Sequence, residues 1–410
     1  TMFPYESIAL VTPWFYPTPG GVSRHIFELA KAFSMMGLKV FVITLSTNTN
    51  NEIIFDNKLK KNGIEVIRLN IHGSLKGKTF LYSVYATLKH MIKEGIIDCV
   101  HFSNESGFVF YLNKIKLPSV TKVHGSWLYQ NYQDYRNWLS RQELRRKIAL
   151  SLLYINTSLI HKVAYKLAPA LIAIRREVKD MLSTHFGISR DKIVVVPNGV
   201  NHELFNPTYN NLKNLYLKEL SLNIDSDVKV VLYIGDFSYP KGFHFLPLII
   251  KKVLEKYRDV VFLIVGAYTD ETYSRGVTLL KKYGVPRARN IKMMKFIPFE
   301  KMPMIYAIAD IIILPYVDEI TNVHKEAMAM SKPVVTFELR DVPISLHRKI
   351  AMFVPRYNVN LFVKYVLELL DNEALAEYIG ENATKYVSKW SWENVAKTTI
   401  KVIERVSNKH

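Results

Sequence analysis

Lys241 and the acids Asp318, Glu319 and Glu326 stand where this 410-residue chain could do chemistry. Lys241 belongs to Asp236-Phe237-Ser238-Tyr239-Pro240-Lys241-Gly242, directly after the apolar run Val228 to Gly235. A lysine held in such a strand-to-helix loop can neutralise a diphosphate. The acids lie in the run Pro315 to Met330, which four apolar residues, Ile311 to Leu314, precede like a buried parallel strand. A helix opens near Asn322, and ligands of open α/β sheets bind where such loops and positive helix N-termini converge. Glu326 sits about one turn into that helix, so its carboxylate can reach back over the helix mouth. Near the start, Gly20-Gly21 opens a helix whose apolar face reads Ile26, Leu29, Ala30 and Phe33. Paired glycines let the backbone approach a phosphate, and the helix start supplies unpaired N–H donors. Each feature also has a plainer reading: Lys-Gly as a helix entry, the glycines as a tight turn, the acids as a solvated helix face.

The elements that position these residues follow from periodicity. Short β-rich apolar runs alternate with helical patterns, which predicts parallel sheets built from βαβ units. Strands are expected at Ser7 to Thr12, Leu38 to Thr44, Ile64 to Leu69, Ile97 to Phe102, Ser119 to His124, Ala170 to Ile174 and Ile193 to Pro197. A second set is expected at Val228 to Gly235, Val260 to Gly266, Ile291 to Phe296, Ile311 to Leu314, Val334 to Phe337 and Ala351 to Val354. Asn206 to Asp227 carries no strand, which places a domain boundary there. The expected division is 1–206 with the last helix 390–410, and 207–389.

Composition bounds the rest. A 49% hydrophobic content supports full-sized cores, and the length favours more than one domain. The only cysteine, Cys99, lies in an apolar run and reads as a buried strand residue, so no internal disulfide is available. The first residues lack a basic segment followed by an apolar core, which predicts no signal peptide, and no stretch is apolar enough to span a bilayer. The net charge of +19 should attract phosphates, anionic lipid or nucleic acid. The twelve histidines form no HExxH and no His-x-His, so no metal site is expected.

Taken together, Pro315, Asp318, Glu326 after seven intervening residues and Ala327-Met328-Ala329 resemble the signature of retaining nucleotide-sugar glycosyltransferases of family 4. Pro13 with Pro19-Gly20-Gly21, Val196-Pro197-Asn198-Gly199-Val200 and Trp390-Ser391-Trp392 follow in the family's order. The resemblance covers most of the chain and implies the GT-B fold: α/β, with two facing doubly wound Rossmann-like domains and a C-terminal helix that crosses back to the first. It implies that Lys241 stabilises the nucleotide leaving group, that Glu326 binds the ribose, and that Asp318 reaches the sugar. It assigns His124, at the end of the fifth strand, to the transferred sugar. The amides of Ile320, Thr321 and Asn322, with Gly20 and Gly21, would hold donor phosphate and sugar, and Arg24 and His25 would meet acceptor or phosphate or be solvated. The chain departs from the family pattern in three places: Asp318 replaces a glutamate, Asp236 an arginine, and Glu319-Ile320-Thr321 a Gly-Phe-Gly.

Between His124 and Ala170 lies an aromatic and basic insertion that includes Trp127, Trp138, Arg141, Arg145, Arg146 and Lys147. Such a segment suits a membrane interface, with rings at headgroup depth and cations on anionic lipid, or equally an amphipathic helix packed on its own domain. No nucleic-acid motif accompanies it. The expectation is a metal-independent retaining transferase moving a hexose, mannose from GDP-mannose before glucose from UDP-glucose, to a lipid-linked or membrane-presented glycan. The protein would be cytoplasmic and peripheral to the membrane. The rival expectation is a non-catalytic basic peripheral protein that binds nucleotide sugar, lipid or nucleic acid.

Overall fold

The computed structural model describes residues 4–18, 20–72, 76–124, 157–237, 241–267, 269–285, 290–295, 297–316 and 320–407. The expected membrane-contact residues Trp127, Trp138, Arg141, Arg145, Arg146 and Lys147 lie outside this set, as does Asp318. The chain forms two compact units, Thr1–Gly199 with Trp392–His410, and Val200–Ser391.

The first unit holds a seven-stranded parallel sheet in the order β3-β2-β1-β4-β5-β6-β7. Its strands are β1 (Ser7–Val11), β2 (Lys39–Leu45), β3 (Ile64–Leu69), β4 (Cys99–Ser103), β5 (Ser119–Val123), β6 (Leu171–Ala173) and β7 (Ile193–Val195). Inner strands such as β1 and β2 read as near-continuous apolar runs because a parallel sheet is covered on both faces, whereas the edge strand β3 carries Glu65 and Arg68 and is mostly half-buried. In β1, Ala9 and Val11 enter one core, whereas Ile8 and Leu10 enter the other. The second core also takes Ile26, Leu29 and Phe33 from the helix Gly21–Met35, and Val395, Ile400 and Ile403 from the helix Trp392–Ser407. That spacing is one helical stripe, which is why the last helix packs against the first. Cys99 is buried in β4, and burial followed by the charge of Asp98 raises its thiol pKa.

The second unit holds six parallel strands in the order β10-β9-β8-β11-β12-β13. These are β8 (Lys229–Ile234), β9 (Val260–Ala267), β10 (Ile291–Lys295), β11 (Ile311–Leu314), β12 (Val334–Phe337) and β13 (Met352–Val354). Two of its helices begin with asparagine caps: Asn358 and Asn372 accept from the N–H groups of Leu361 and Leu375, both at 3.0 Å. In each sheet the strand order reverses beside the first strand of the unit, between β1 and β4 and between β8 and β11. Such switch points open a crevice at the carboxyl ends of the strands.

The division at Gly199 falls earlier than the expected boundary at 206. The Val200 N–H donates to Trp390 O at 2.7 Å, and Phe205 packs its ring on Phe299 and Tyr306, so 200–206 and Trp390 belong to the second unit.

Candidate functional site

The switch point of the second unit is built by close backbone packing. Gly242 follows Lys241 with φ +64°, and a Cβ there would lie 1.8 Å from the Pro315 carbonyl oxygen. Only glycine lets the loop after β8 touch the end of β11 in this way. The Tyr233 hydroxyl lies 3.1 Å from both Asp236 O and Lys241 O and shares its one proton between them, and the Tyr316 hydroxyl donates to Ile234 O. Lys241 Nζ lies 4.5 Å from the Tyr316 ring centroid, within cation–π range. A cation is thereby held over an aromatic face beside the switch point. Such a group can neutralise an anionic leaving group.

The helix Asn322–Ala329 begins across this end of the sheet, following β11. Glu326 is buried and accepts from the Tyr306 hydroxyl at 2.8 Å. Its neighbour Lys325 is also buried, with Nζ 4.8 Å from the Trp390 ring centroid, and burial lowers its pKa to about 8 against the opposing charges of Asp341 and Glu326. Two of the three amides expected to hold donor are already engaged. The Ile320 N–H donates to Asp341 Oδ1 at 3.0 Å, and the Thr321 N–H donates to His324 Nδ1 at 3.2 Å. The Asn322 N–H, in the first turn of the helix, has no acceptor among the described residues.

In the first unit, Gly20 and Gly21 are exposed, and a Cβ at either would meet nothing within 4 Å. Arg24 is half-buried, and its N–H donates to Gly20 O at 3.1 Å. His25 is not a solvated helix-start residue: it is 1% exposed, its ring 4.6 Å from that of His124 and 5.2 Å from that of Trp392. The His124 N–H donates to Asn104 Oδ1 at 3.1 Å, and His101 lies 6.0 Å from His25. Beneath them Lys122 is fully buried and donates from Nζ to Val196 O at 3.2 Å. Burial, then Lys122, lowers the pKa of all three histidines, that of His101 to about 3. These imidazoles are neutral at neutral pH and can hydrogen-bond hydroxyls.

That neutrality has a consequence for stability. In the unfolded chain the same imidazoles titrate near 6.5, so below that pH the unfolded state takes up protons the folded state does not. Stability is full above about pH 6.5 and falls, by about 1.4 kcal/mol per pH unit for each such histidine, until the folded pKa is reached. His161, whose pKa is raised through Glu105 although burial opposes it, acts in the opposite direction. The urea midpoint is expected to be clearly lower at about pH 5.5 than at about pH 7.5. Equal midpoints would refute the neutral cluster.

His324, Tyr306, Tyr316 and Asp341 were not singled out from the sequence. Thr321-x-x-His324 has capping-box spacing with histidine in place of Glu or Gln, and that signal could have found it. The partners of the others come from distant segments. Among the described residues, no group of three or more His, Cys, Asp or Glu side chains could hold a metal ion, and no helix is long and apolar enough to cross a membrane.

Comparisons with known proteins agree with this fold. The family model described as Glycosyltransferase Family 4 matches residues 19–204, and that described as Glycosyl transferases group 1 matches residues 218–386. An uncharacterized glycosyltransferase of Methanocaldococcus jannaschii is 23% identical over 96% of this chain and 97% of its own. Another from that organism is 26% identical over 57% of this chain and 59% of its own, so the match spans under two thirds of that relative. The GPI3 subunit of phosphatidylinositol N-acetylglucosaminyltransferase from Saccharomyces cerevisiae is 22% identical over 98% of this chain and 83% of its own. Among solved structures, a glycosyltransferase from Rickettsia africae shares the fold with a TM-score of 0.74 at 19% identity, covering all of both chains. HepE of Anabaena, solved in complex with UDP and glucose, gives 0.69 at 16% identity over 98% of this chain and 100% of its own. With two family matches spanning most of its length and two doubly wound parallel sheets, this chain belongs to the family 4 glycosyltransferases, GT-B enzymes that use a sugar-nucleotide donor.

Proposed function

We propose that this enzyme is a retaining hexosyltransferase that works without a metal and delivers its sugar to a lipid-linked or membrane-presented glycan. The carrying observation is Lys241, held over Tyr316 by the Gly242–Pro315 contact at the β8/β11 switch point. Its ammonium would neutralise the diphosphate as the glycosidic bond breaks, the charge stabilisation a divalent ion supplies elsewhere. Glu326, oriented by the Tyr306 hydroxyl, would accept from the ribose hydroxyls. Val200–Ser391 is thus proposed as the donor-binding unit, and the first unit as the acceptor-binding one. Asp318 and His124 keep the roles the resemblance assigns, the sugar and its anomeric carbon; a neutral His124 donates or accepts hydrogen bonds without adding charge. The donor is proposed as GDP-mannose or a UDP-hexose. HepE's complex with UDP and glucose supports the second, and the yeast relative's name supports a phospholipid-linked acceptor.

The experiment is a thermal-shift screen of UDP, GDP and their hexose conjugates in the presence of EDTA. A ligand that binds the native state at about a hundred times its Kd should stabilise it by about 2.7 kcal/mol. Stabilisation and subsequent donor turnover in EDTA are the expected results. Binding without hydrolysis or transfer would favour a non-catalytic protein, and turnover that returns only with Mg²⁺ or Mn²⁺ would refute metal independence.

The membrane proposal has its own test. The cations Arg141, Arg145, Arg146 and Lys147, near an anionic surface, would each add about 1 kcal/mol of salt-sensitive attraction. The protein is expected to sediment with anionic vesicles at low salt, and Gln at Arg145, Arg146 and Lys147 is expected to reduce that without changing nucleotide affinity. Equal sedimentation of parent and variant would return the segment to an ordinary packed helix.

A further inference from the structure

The turn into the helix Asn322–Ala329 is tied to the sheet through one side chain. His324 is fully buried, and its Nδ1 receives the Thr321 N–H at 3.2 Å and lies 2.9 Å from the Thr321 hydroxyl. Accepting from an N–H requires a lone pair on Nδ1, so the proton of the neutral ring sits on Nε2. Nε2 lies 3.1 Å from the Thr336 hydroxyl oxygen and donates to it. Thr336 is a fully buried residue of β12, the strand hydrogen-bonded to β11. The ring therefore forms a strut from the turn to the sheet, and it lies nearly perpendicular to the Tyr316 ring, 5.4 Å away between centroids. Tyr316 is the ring beneath Lys241. The strut meets both the turn and the lysine platform.

The groups facing His324 agree with a neutral strut. Burial, then Lys241, then Lys325 lower its pKa to about 3, so it keeps its acceptor nitrogen through the physiological range. A second tie acts one residue earlier, where Asp341 holds the Ile320 N–H. The turn is thereby pinned from two sides, and its pinned amides cannot also serve a phosphate.

We propose that His324 is a positioning residue of the donor site, bracing the 320–322 turn against β12 so that the Asn322 N–H, rather than the Ile320 or Thr321 N–H, meets the donor's diphosphate. This rests on the donor-site reading above. No such role was visible in the family resemblance, where the corresponding turn is glycine-rich.

The test titrates the whole chain with UDP and with GDP by calorimetry and records melting temperatures. His324→Leu removes both hydrogen bonds and is expected to weaken nucleotide binding about tenfold. His324→Gln restores capping-box chemistry, an oxygen for the Thr321 N–H and an amide for Thr336, and is expected to recover affinity to within about threefold. Thr336→Val, of nearly the same shape, cuts only the anchor and should weaken binding about threefold, which serves if His324→Leu does not fold. Asn322→Pro deletes the amide at the first helical position, where proline fits and the extended Thr321 (φ −100°, ψ 173°) accepts it; affinity should fall about tenfold with little change in melting temperature. Folded His324→Leu or Thr336→Val proteins that bind like the parent, or a His324→Gln variant as weak as His324→Leu, would overturn the strut. Unchanged affinity in Asn322→Pro would overturn the amide assignment. A parent that binds neither nucleotide would overturn the donor-site reading itself, and this inference with it.

Discussion

Replacing Gly242 by alanine is expected to destabilise the second unit by about 3 kcal/mol or more. A non-glycine residue in left-handed backbone costs about 1–2 kcal/mol by itself. The larger part comes from the Cβ, which would lie 1.8 Å from the Pro315 carbonyl oxygen. That neighbour is backbone, so relief requires the loop after β8 and the end of β11 to part. The Tyr233 hydroxyl of β8 bonds Lys241 O in the loop and the Tyr316 hydroxyl, just after β11, bonds Ile234 O of β8, so these hydrogen bonds would stretch as the segments part. For a domain of this size each kcal/mol shifts the midpoint by about 2–4 °C, so calorimetry should show the transition about 6–12 °C lower. A change below about 2 °C would show that the loop can move away at little cost and that Gly242 does not set the position of Lys241.

Lys241→Ala is expected to lower donor turnover about ten- to a hundredfold, the equivalent of a charge-assisted contact worth about 1.5–3 kcal/mol. The side chain is half-buried and lies over a ring rather than in a core, so the fold should survive its removal. Loss of turnover with an unchanged melting transition would therefore report on the leaving group. Lys241→Arg keeps the charge but not the compact ammonium, and is expected to fall between the two. Parent-like kcat/KM in folded Lys241→Ala would remove the lysine from the chemistry.

Much of this architecture was legible in the residue order. Strands such as Ser7–Val11 and Ile311–Leu314 stood out because parallel strands, buried on both faces, need near-continuous apolar runs, and the helices between them carry a one-sided stripe. Two doubly wound units follow from that alternation. The loops after β8 and β11 could be marked as sites because a lysine beside a glycine and acids beside a helix start are local patterns. The identity of Glu326 and its place on the helix were equally local.

Other features depended on partners far along the chain. His25 reads as a helix-start residue, yet Trp392 closes over it from the last helix. Three consecutive amides read as equivalent donors, yet Asp341 and His324 claim two of them. The boundary after Gly199 was set by Val200 bridging to Trp390 and by Phe205 meeting Phe299 and Tyr306. Periodicity and motif spacing report what a segment does with its own backbone and with one buried face. They carry no information about which distant side chain fills a given hydrogen bond, because that is decided only when the sheets order their strands and bring β12, the 338–342 loop and the last helix against the turns they satisfy.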